Sequence, residues 1–213
     1  MSDSKKDNQD YEFEIENVVA TVSVSIPEKM DLNSIVRKYP DIEYNPERFP
    51  GIIIRFEKPK ATVLMFSTGR MVITGMRTDD VVEEVVQVVI KRIRKVGIDI
   101  SNPQIEIQNI VASGDLHKNI DLNYAAVVME TAMYEPEVFP GLIYRMHEPR
   151  AVFLIFSTGR IVCTGAKNKE IVAEAVKKLA EEVNKLGIAQ EKKEEESEFN
   201  ESDEDLEDNL EFI

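Results

Sequence analysis

The chain has 213 residues, a hydrophobic fraction of 43% and a formal net charge of −14. This length allows one large domain or two small ones with a real core, and the hydrophobic fraction excludes wholesale disorder. No apolar run approaches the roughly 20 residues that cross a bilayer, and the N-terminal residues lack an apolar signal stretch, so an intracellular protein is expected. One cysteine excludes an internal disulfide, and with only two histidines beside it neither a zinc site nor another cofactor is expected.

The negative charge is concentrated at the two ends of the chain. Residues 1–16 carry −4 and residues 191–213 carry −10, which leaves residues 17–190 neutral with 22 acidic and 22 basic side chains. A neutral core neither demands nor forbids nucleic acid, but it lacks the usual basic footprint of a DNA-binding protein. If the chain binds DNA, its affinity must draw on more than phosphate neutralisation, so its dependence on salt should be shallow.

The first half of the chain begins with a predicted strand and a short helix. β-Branched residues predict a strand over 17–25, and Asp31 is a plausible cap for a helix over 31–38. Breaks at Pro59 and at Ser67-Thr68-Gly69 then separate a group of short strands. These predicted strands cover residues 42–44, 51–57, 61–67 and 70–76.

A long helix is predicted over 79–96, followed by a stop at Gly97. Apolar residues recur four apart on one face of it, at Val81, Val85, Val89 and Ile93. The valine-rich run could also form a strand, but the capping run Thr78-Asp79-Asp80 and the spacing of the charges favour a helix. The unit therefore reads β-α-β-β-β-β-α, which predicts an antiparallel sheet with helices on one face.

The second half of the chain repeats the first. Residues 43–76 and 133–166 align without a gap at an offset of 90, with 19 of 34 positions identical. The strand start 17–20 matches 109–112 at an offset of 92. Two copies suit a pseudo-twofold domain better than an open solenoid, which usually needs three or more repeats. The predicted division is an extension (1–14), a first repeat (15–100), a second repeat (101–190) and an acidic, disordered tail (191–213).

One face of the predicted sheet has no cover in either copy. Alternation places Ala61, Val63 and Met65 on the face that the helices can cover, and the intervening residues on the other. The uncovered face would show Leu64, Phe66, Val72 and Thr74 in the first copy and Leu154, Phe156, Val162 and Thr164 in the second. A large exposed apolar surface on a soluble protein normally marks a binding site.

Long duplicated motifs resemble those of the TATA-box-binding proteins over about residues 15–188. The motifs are N-[VI]-V-A, Y-x-P-E-x-F-P-G, R-x-x-x-P and L-x-F-S-T-G-R-x-V-x-T-G, each present twice. The resemblance implies an α+β fold in which two tandem β-α-β4-α repeats form a ten-stranded antiparallel saddle with helices on the convex face. It also implies a general transcription factor that binds the TATA box in the DNA minor groove, kinks it and nucleates the preinitiation complex.

The family resemblance assigns roles on the concave face. Phenylalanine wedges between base steps would be Phe49 and Phe66 in one repeat and Phe139 and Phe156 in the other. Contacts to bases would come from Asn17, Val19, Leu64, Val72, Thr74, Asn109, Val111, Leu154, Val162 and Thr164. Phosphate contacts would come from Arg55, Arg70, Arg145 and Arg160, which fix register without reading sequence.

The resemblance also implies protein partners. The second-repeat stirrup, with Glu135, Glu137 and Val138, would contact transcription factor B, and the RNA polymerase preinitiation complex would assemble around it. A homodimer through the concave face is a further expectation, and no membrane partner is expected. The short N-terminus and acidic tail favour an archaeal source, with a cytoplasmic, nucleoid-associated protein; a eukaryotic source would make it nuclear. The tail could repel nonspecific DNA or fold over the basic stirrups as a competitor.

Other classes of function fit the residues less well. No nucleophile constellation, phosphate-binding loop or metal cluster appears, so an enzyme is not expected. A protein-interaction module that buries the same sheet face, and an RNA binder with aromatic side chains on a sheet, stay open as alternatives.

Overall fold

A computed structural model describes residues 11–191 of the chain. The first half contains β1 (Glu12–Ser25), α1 (Leu32–Lys38), β2 (Glu43–Tyr44), β3 (Gly51–Glu57), β4 (Lys60–Phe66), β5 (Arg70–Met76) and α2 (Asp80–Arg94). The second half contains β6 (Ser101–Asp115), β7 (Lys118–Ile120), α3 (Leu122–Val128), β8 (Ala132–Met133), β9 (Leu142–Met146), β10 (Ala151–Ile155), β11 (Arg160–Ala166), α4 (Lys169–Leu186) and β12 (Ala189–Glu191). No helix in residues 11–191 has the length and apolar character to cross a membrane.

Ten of the strands form one antiparallel sheet whose order is nearly palindromic. The order is β2-β3-β4-β5-β1-β6-β11-β10-β9-β8, so the first strands of the two copies pair at the centre. β1 and β6 are antiparallel over almost their full lengths, from the Glu12–Asp115 pair to the Ser25–Ser101 pair. The sheet is therefore a saddle built from two related halves, as predicted.

The helices cover one face of the sheet and form the core with it. In β4 and β5 every second residue is buried: Ala61, Val63, Met65, Met71 and Ile73 are 0–3% exposed. α2 buries the predicted stripe apart from the partly exposed Val81, and it also buries Val82, Val86 and Ile90 on the same side. Because α4 repeats this pattern, one continuous hydrophobic core runs under both halves of the sheet.

The ends of the folded region differ from the prediction. β1 begins at Glu12 instead of residue 17, because its first residues pair with the end of β6. β7 and β12 form a separate two-stranded sheet in which Glu191 pairs with Lys118, so residue 191 belongs to a strand and not to the predicted tail. Residues 192–213, on which the remaining expectations for the tail fall, lie outside the described residues.

Candidate nucleic-acid interface

The face opposite the helices carries a continuous set of partly exposed apolar side chains. The register pairs Leu64 with Val72 in the first half and Leu154 with Val162 in the second. At the centre, Val19 of β1 lies opposite Asn109 of β6, and Val111 of β6 lies opposite Asn17 of β1. Each of these apolar residues is partly exposed, whereas the residues between them in the strands are buried under the helices. The structure thus brings the predicted base-contacting residues together on one surface.

Two asparagines at the centre of this face are held in one orientation by backbone amides. The N–H of Gly75 donates to Asn17 Oδ1 at 2.8 Å, and the N–H of Gly165 donates to Asn109 Oδ1 at 2.8 Å. Thr74 and Thr164 lie beside them, each with its hydroxyl oxygen 3.2 Å from the asparagine Oδ1. Because a backbone N–H can only donate, Oδ1 must face it, and each amide nitrogen faces away from it as a donor. The amide nitrogen of Asn109 donates one of its two N–H groups to Thr164 Oγ1 at 3.0 Å and keeps the other for the surface.

A pair of phenylalanine rings stands at each end of the face. The ring centroids of Phe49 and Phe66 are 5.3 Å apart, and those of Phe139 and Phe156 are 6.0 Å apart. All four rings are partly exposed.

Glycines allow these rings to lie close to the start of the neighbouring strand. A Cβ added at Gly51 would come within 2.9 Å of the Phe49 ring, and one added at Gly141 would come within 2.7 Å of the Phe139 ring. The same turn positions both stirrup rings, since the N–H of Phe49 donates to the carbonyl oxygen of Asn45 and that of Phe139 to Glu135, each at 2.9 Å. Because glycine has no side chain, each pair of rings can pack over the backbone at the start of the strand and stay partly exposed to a ligand on this face.

The four predicted phosphate-binding arginines are exposed on the same face, but they are not equivalent. Arg55 Nε lies 3.0 Å from Glu43 Oε1, and this hydrogen bond raises the pKa of the Arg55 guanidinium. The counterpart of Glu43 in the second half is Met133, and within residues 11–191 Arg145 forms no ion pair. Arg70 and Arg160 occupy matching positions opposite Ser23 and Asp115.

Carboxylates near the Phe156 end were missed by the sequence analysis. Glu12 and Glu14 lie opposite Asp115 and Ser113 of β6, and they border the same hollow as Phe156. The corresponding positions near the Phe66 end hold Gln104, Glu106 and Ser23, of which Glu106 alone is acidic. The alternating Glu12, Glu14 and Glu16 could have indicated a strand with one acidic face. The two ends of the surface therefore differ in charge.

The stirrup before Phe139 presents its side chains to solvent. Val138 is 79% exposed, and Glu135 and Glu137 are exposed beside it. The N–H groups of Val138 and Phe139 both donate to the carbonyl oxygen of Glu135, which closes a single tight turn. The first-half stirrup has the same turn but carries Arg48 in place of Val138. A partner at the second stirrup would thus meet an apolar and acidic tip.

Comparisons with known proteins agree with this geometry. A family model described as "Transcription factor TFIID (or TATA-binding protein, TBP)" matches residues 12–96 and 104–186. The TATA-box-binding protein of Aeropyrum pernix is 50% identical over 184 residues, covering 84% of this chain and 90% of that protein. That of Sulfolobus acidocaldarius is 48% identical over 186 residues, covering 87% and 93%. The solved structure of "Methanococcus jannaschii TBP" is similar with a TM-score of 0.74 at 37% identity, covering 82% of this chain and 99% of that one.

Proposed function

The chain belongs to the TATA-box-binding protein family, and from that premise we propose that it is a general transcription factor that binds A·T-rich promoter DNA through the minor groove and bends it. The observation that carries this proposal is the arrangement of the open face: two fixed amide donors at the centre, apolar side chains around them and a phenylalanine pair at each end. Each part of this arrangement matches a property of the minor groove.

The centre of the face suits A·T pairs. The minor groove of an A·T pair offers only acceptors, adenine N3 and thymine O2, whereas a G·C pair adds the guanine amino group. The amide nitrogens of Asn17 and Asn109 can donate hydrogen bonds to these acceptors. Val19, Val111 and their apolar neighbours provide no acceptor for a guanine amino group, so a buried G·C pair would leave that donor unsatisfied.

The ends of the face suit a kinked duplex. Apolar side chains inserted between base steps unstack them at a cost of a few kcal/mol, and TATA-box-binding proteins are themselves the standard example of this insertion. Phe49 with Phe66, and Phe139 with Phe156, are the wedges. The widened groove then meets the whole sheet, which offsets the cost of unstacking.

The same family membership supports two protein contacts. Transcription factor B is the proposed partner at Glu135, Glu137 and Val138, and its binding there would recruit RNA polymerase into a preinitiation complex. In the absence of DNA, the apolar face is also a candidate contact between two copies of the chain. DNA and a second copy would then compete for one surface.

A binding and bending titration tests the DNA function. It uses a duplex with a TATA-like A·T-rich element, labelled at both ends for energy transfer, and a duplex of the same length with G·C substitutions at the centre. We expect tight binding and a strong bend with the A·T duplex only. Failure of the folded protein to bind either duplex would show that the open sheet serves a protein partner, and stronger competition by a single strand than by duplex would favour an RNA or single-strand binder.

A smaller effect is expected from the ion pair that holds Arg55. Replacing Glu43 by methionine copies the second half of the molecule and frees Arg55 for a phosphate. The slope of log affinity against log salt should then steepen by about 1, because one more phosphate is neutralised. The measurement is the same titration over a series of salt concentrations.

The reciprocal substitution Met133→Glu is the matched control. It should engage Arg145 and make the salt slope shallower by a similar amount. If neither substitution changes the slope, Arg55 and Arg145 do not contact phosphates.

A further inference from the structure

The end of α2 carries a basic surface that its counterpart in the second repeat lacks. Lys91, Arg94 and Lys95 are exposed at this end of α2, and Lys38 is exposed at the end of α1. The two helix ends are joined, since Lys38 Nζ donates a hydrogen bond to the carbonyl oxygen of Lys95. Within residues 11–191 none of these four cations forms an ion pair. We call these four residues, together with Val88, the α2 basic surface.

The second repeat provides an internal comparison for this surface. The positions 90 residues later hold Val128, Glu181, Asn184 and Lys185, so a group of four positive charges corresponds to a group with no net charge. Val88 is 39% exposed. Its counterpart Lys178 is instead tied to Glu174 and to the carbonyl oxygen of Glu148, each at 3.1 Å. The α2 basic surface is therefore a property of one copy and not of the repeat.

The DNA-binding proposal does not use this surface. α1 and α2 pack against the face of the sheet opposite to Asn17, Asn109 and the phenylalanine pairs. Residues 17–190 carry no net charge, so four cations without ion-pair partners at one place attract an anion. Because these cations lie on the helical side, their ligand is not the promoter DNA proposed for the open face.

The arrangement of the surface indicates the chemistry of its ligand. Val88, Lys91 and Lys95 lie three and four residues apart on one side of α2, so an apolar side chain is bordered by cations. Ile90 and Gln87 contribute to a shallow hollow beside Lys91 and Arg94. Such a surface fits a polypeptide segment that interleaves carboxylates with aliphatic side chains, because both kinds of group find a partner.

The chain itself contains such a segment. Residues 192–213 carry eleven acidic residues and two lysines, and Leu206, Leu210 and Ile213 are separated by four and three residues within the acidic run. We propose that this acidic segment docks on the α2 basic surface of the same chain. The occupied surface is then masked from other acidic proteins until a competitor displaces the segment.

The segment is long enough to reach the α2 basic surface. It starts after Glu191, which pairs with Lys118 just beyond the end of β6, whereas α2 leads into the start of β6. The two ends of β6, with its 15 residues, are at most about 48 Å apart at ~3.4 Å per residue. The 15 residues from 192 to 206 span up to about 51 Å when extended. Residues 206–213 can therefore lie on α2 while the preceding residues cross the helical side.

Paramagnetic broadening of backbone amide resonances tests the proposal in the full chain. A nitroxide is attached at Ser202→Cys; the native Cys163 is buried, and burial raises the pKa of its thiol to about 12, so it does not compete for the label. At low salt we expect amides of residues 87–95 to broaden several-fold more than those of residues 177–185. High salt and the charge reversal Lys91→Glu/Lys95→Glu should each remove the difference, while Lys177→Glu/Lys185→Glu in α4 should preserve it.

In this first experiment three results would overturn the proposal: equal broadening of α2 and α4, broadening centred on the open sheet face near Leu64 and Val72, and no broadening at all. A mixture of spin-labelled chains with separately isotope-labelled chains identifies the source of the segment. Broadening that persists in this mixture would show that the segment comes from a second copy, contrary to the proposal.

Discussion

Replacing Phe139 and Phe156 together by alanine is expected to abolish the bend at their end of the DNA site and to weaken binding roughly 30- to 1000-fold, about 2–4 kcal/mol. The rings are partly exposed and lie 6.0 Å apart at one edge of the face, where they can enter a base step together. Without them, an unstacked step at this end has no apolar partner, so the duplex stays straight there while Phe49 and Phe66 still act at the other end. The straight end then meets less of the sheet.

The measurement is energy transfer between the ends of the A·T-rich duplex, with affinity from the same titration. Tyr124→Ala is the control, because Tyr124 is a 48% exposed aromatic residue on α3, away from the open face. Thermal unfolding of both variants checks that the fold persists, since the loss of two rings also removes packing near Gly141. An unchanged bend in the folded double variant would show that Phe139 and Phe156 are not wedges.

Replacing both Asn17 and Asn109 by aspartate is expected to weaken binding to the A·T duplex on the order of 100-fold, about 3 kcal/mol. One carboxylate oxygen can still accept the N–H of Gly75 or Gly165, so the local backbone keeps its hydrogen bond. The other oxygen replaces the amide donors and faces the acceptors of the minor groove. Two donor–acceptor contacts become contacts between acceptors, and each adds a negative charge opposite the DNA.

The matched control is Asn33→Asp/Asn123→Asp. These two residues are also related by the repeat, and they are exposed on α1 and α3, where the same change in charge lies far from the open face. This control should reduce affinity much less than the Asn17/Asn109 variant, and its unfolding temperature should show the effect of charge on the fold. Equal losses in the two variants would mean that overall charge, and not the central amides, determines binding.

The division of residues between the two faces could be predicted from the sequence, because it depends on local alternation. Met65 and Met71 face the helices and Leu64 and Val72 face outward, as the period of two required. The duplicated motifs similarly predicted where the phenylalanine pairs lie. Predicting these features requires only the pattern of neighbouring residues and a comparison of one copy of the repeat with the other.

Features that join distant parts of the chain could not be predicted in the same way. Asn17 meets Gly75 where the β1–β5 register shifts by one residue, because the two steps from Val18 to Ala20 lie opposite three steps of β5, from Ile73 to Met76. The ion pair between Glu43 and Arg55 depends on how β2 lies beside β3, and the alternation pattern contains no sign of it. The β7–β12 pair joins three-residue strands about 70 residues apart, which are too short to show a period.

The pairing of β1 with β6 at the centre of the sheet has a consequence for how the surface can change over generations. In a dimer of single repeats, every substitution would appear twice, and a gain at one end would be accompanied by the same change at the other. Here the two copies are covalently joined, so equivalent positions can hold different residues in the two halves. Glu43 corresponds to Met133, and Arg48 corresponds to Val138. Fusion of the duplicated unit keeps the twofold sheet and lets each end acquire its own recognition chemistry independently.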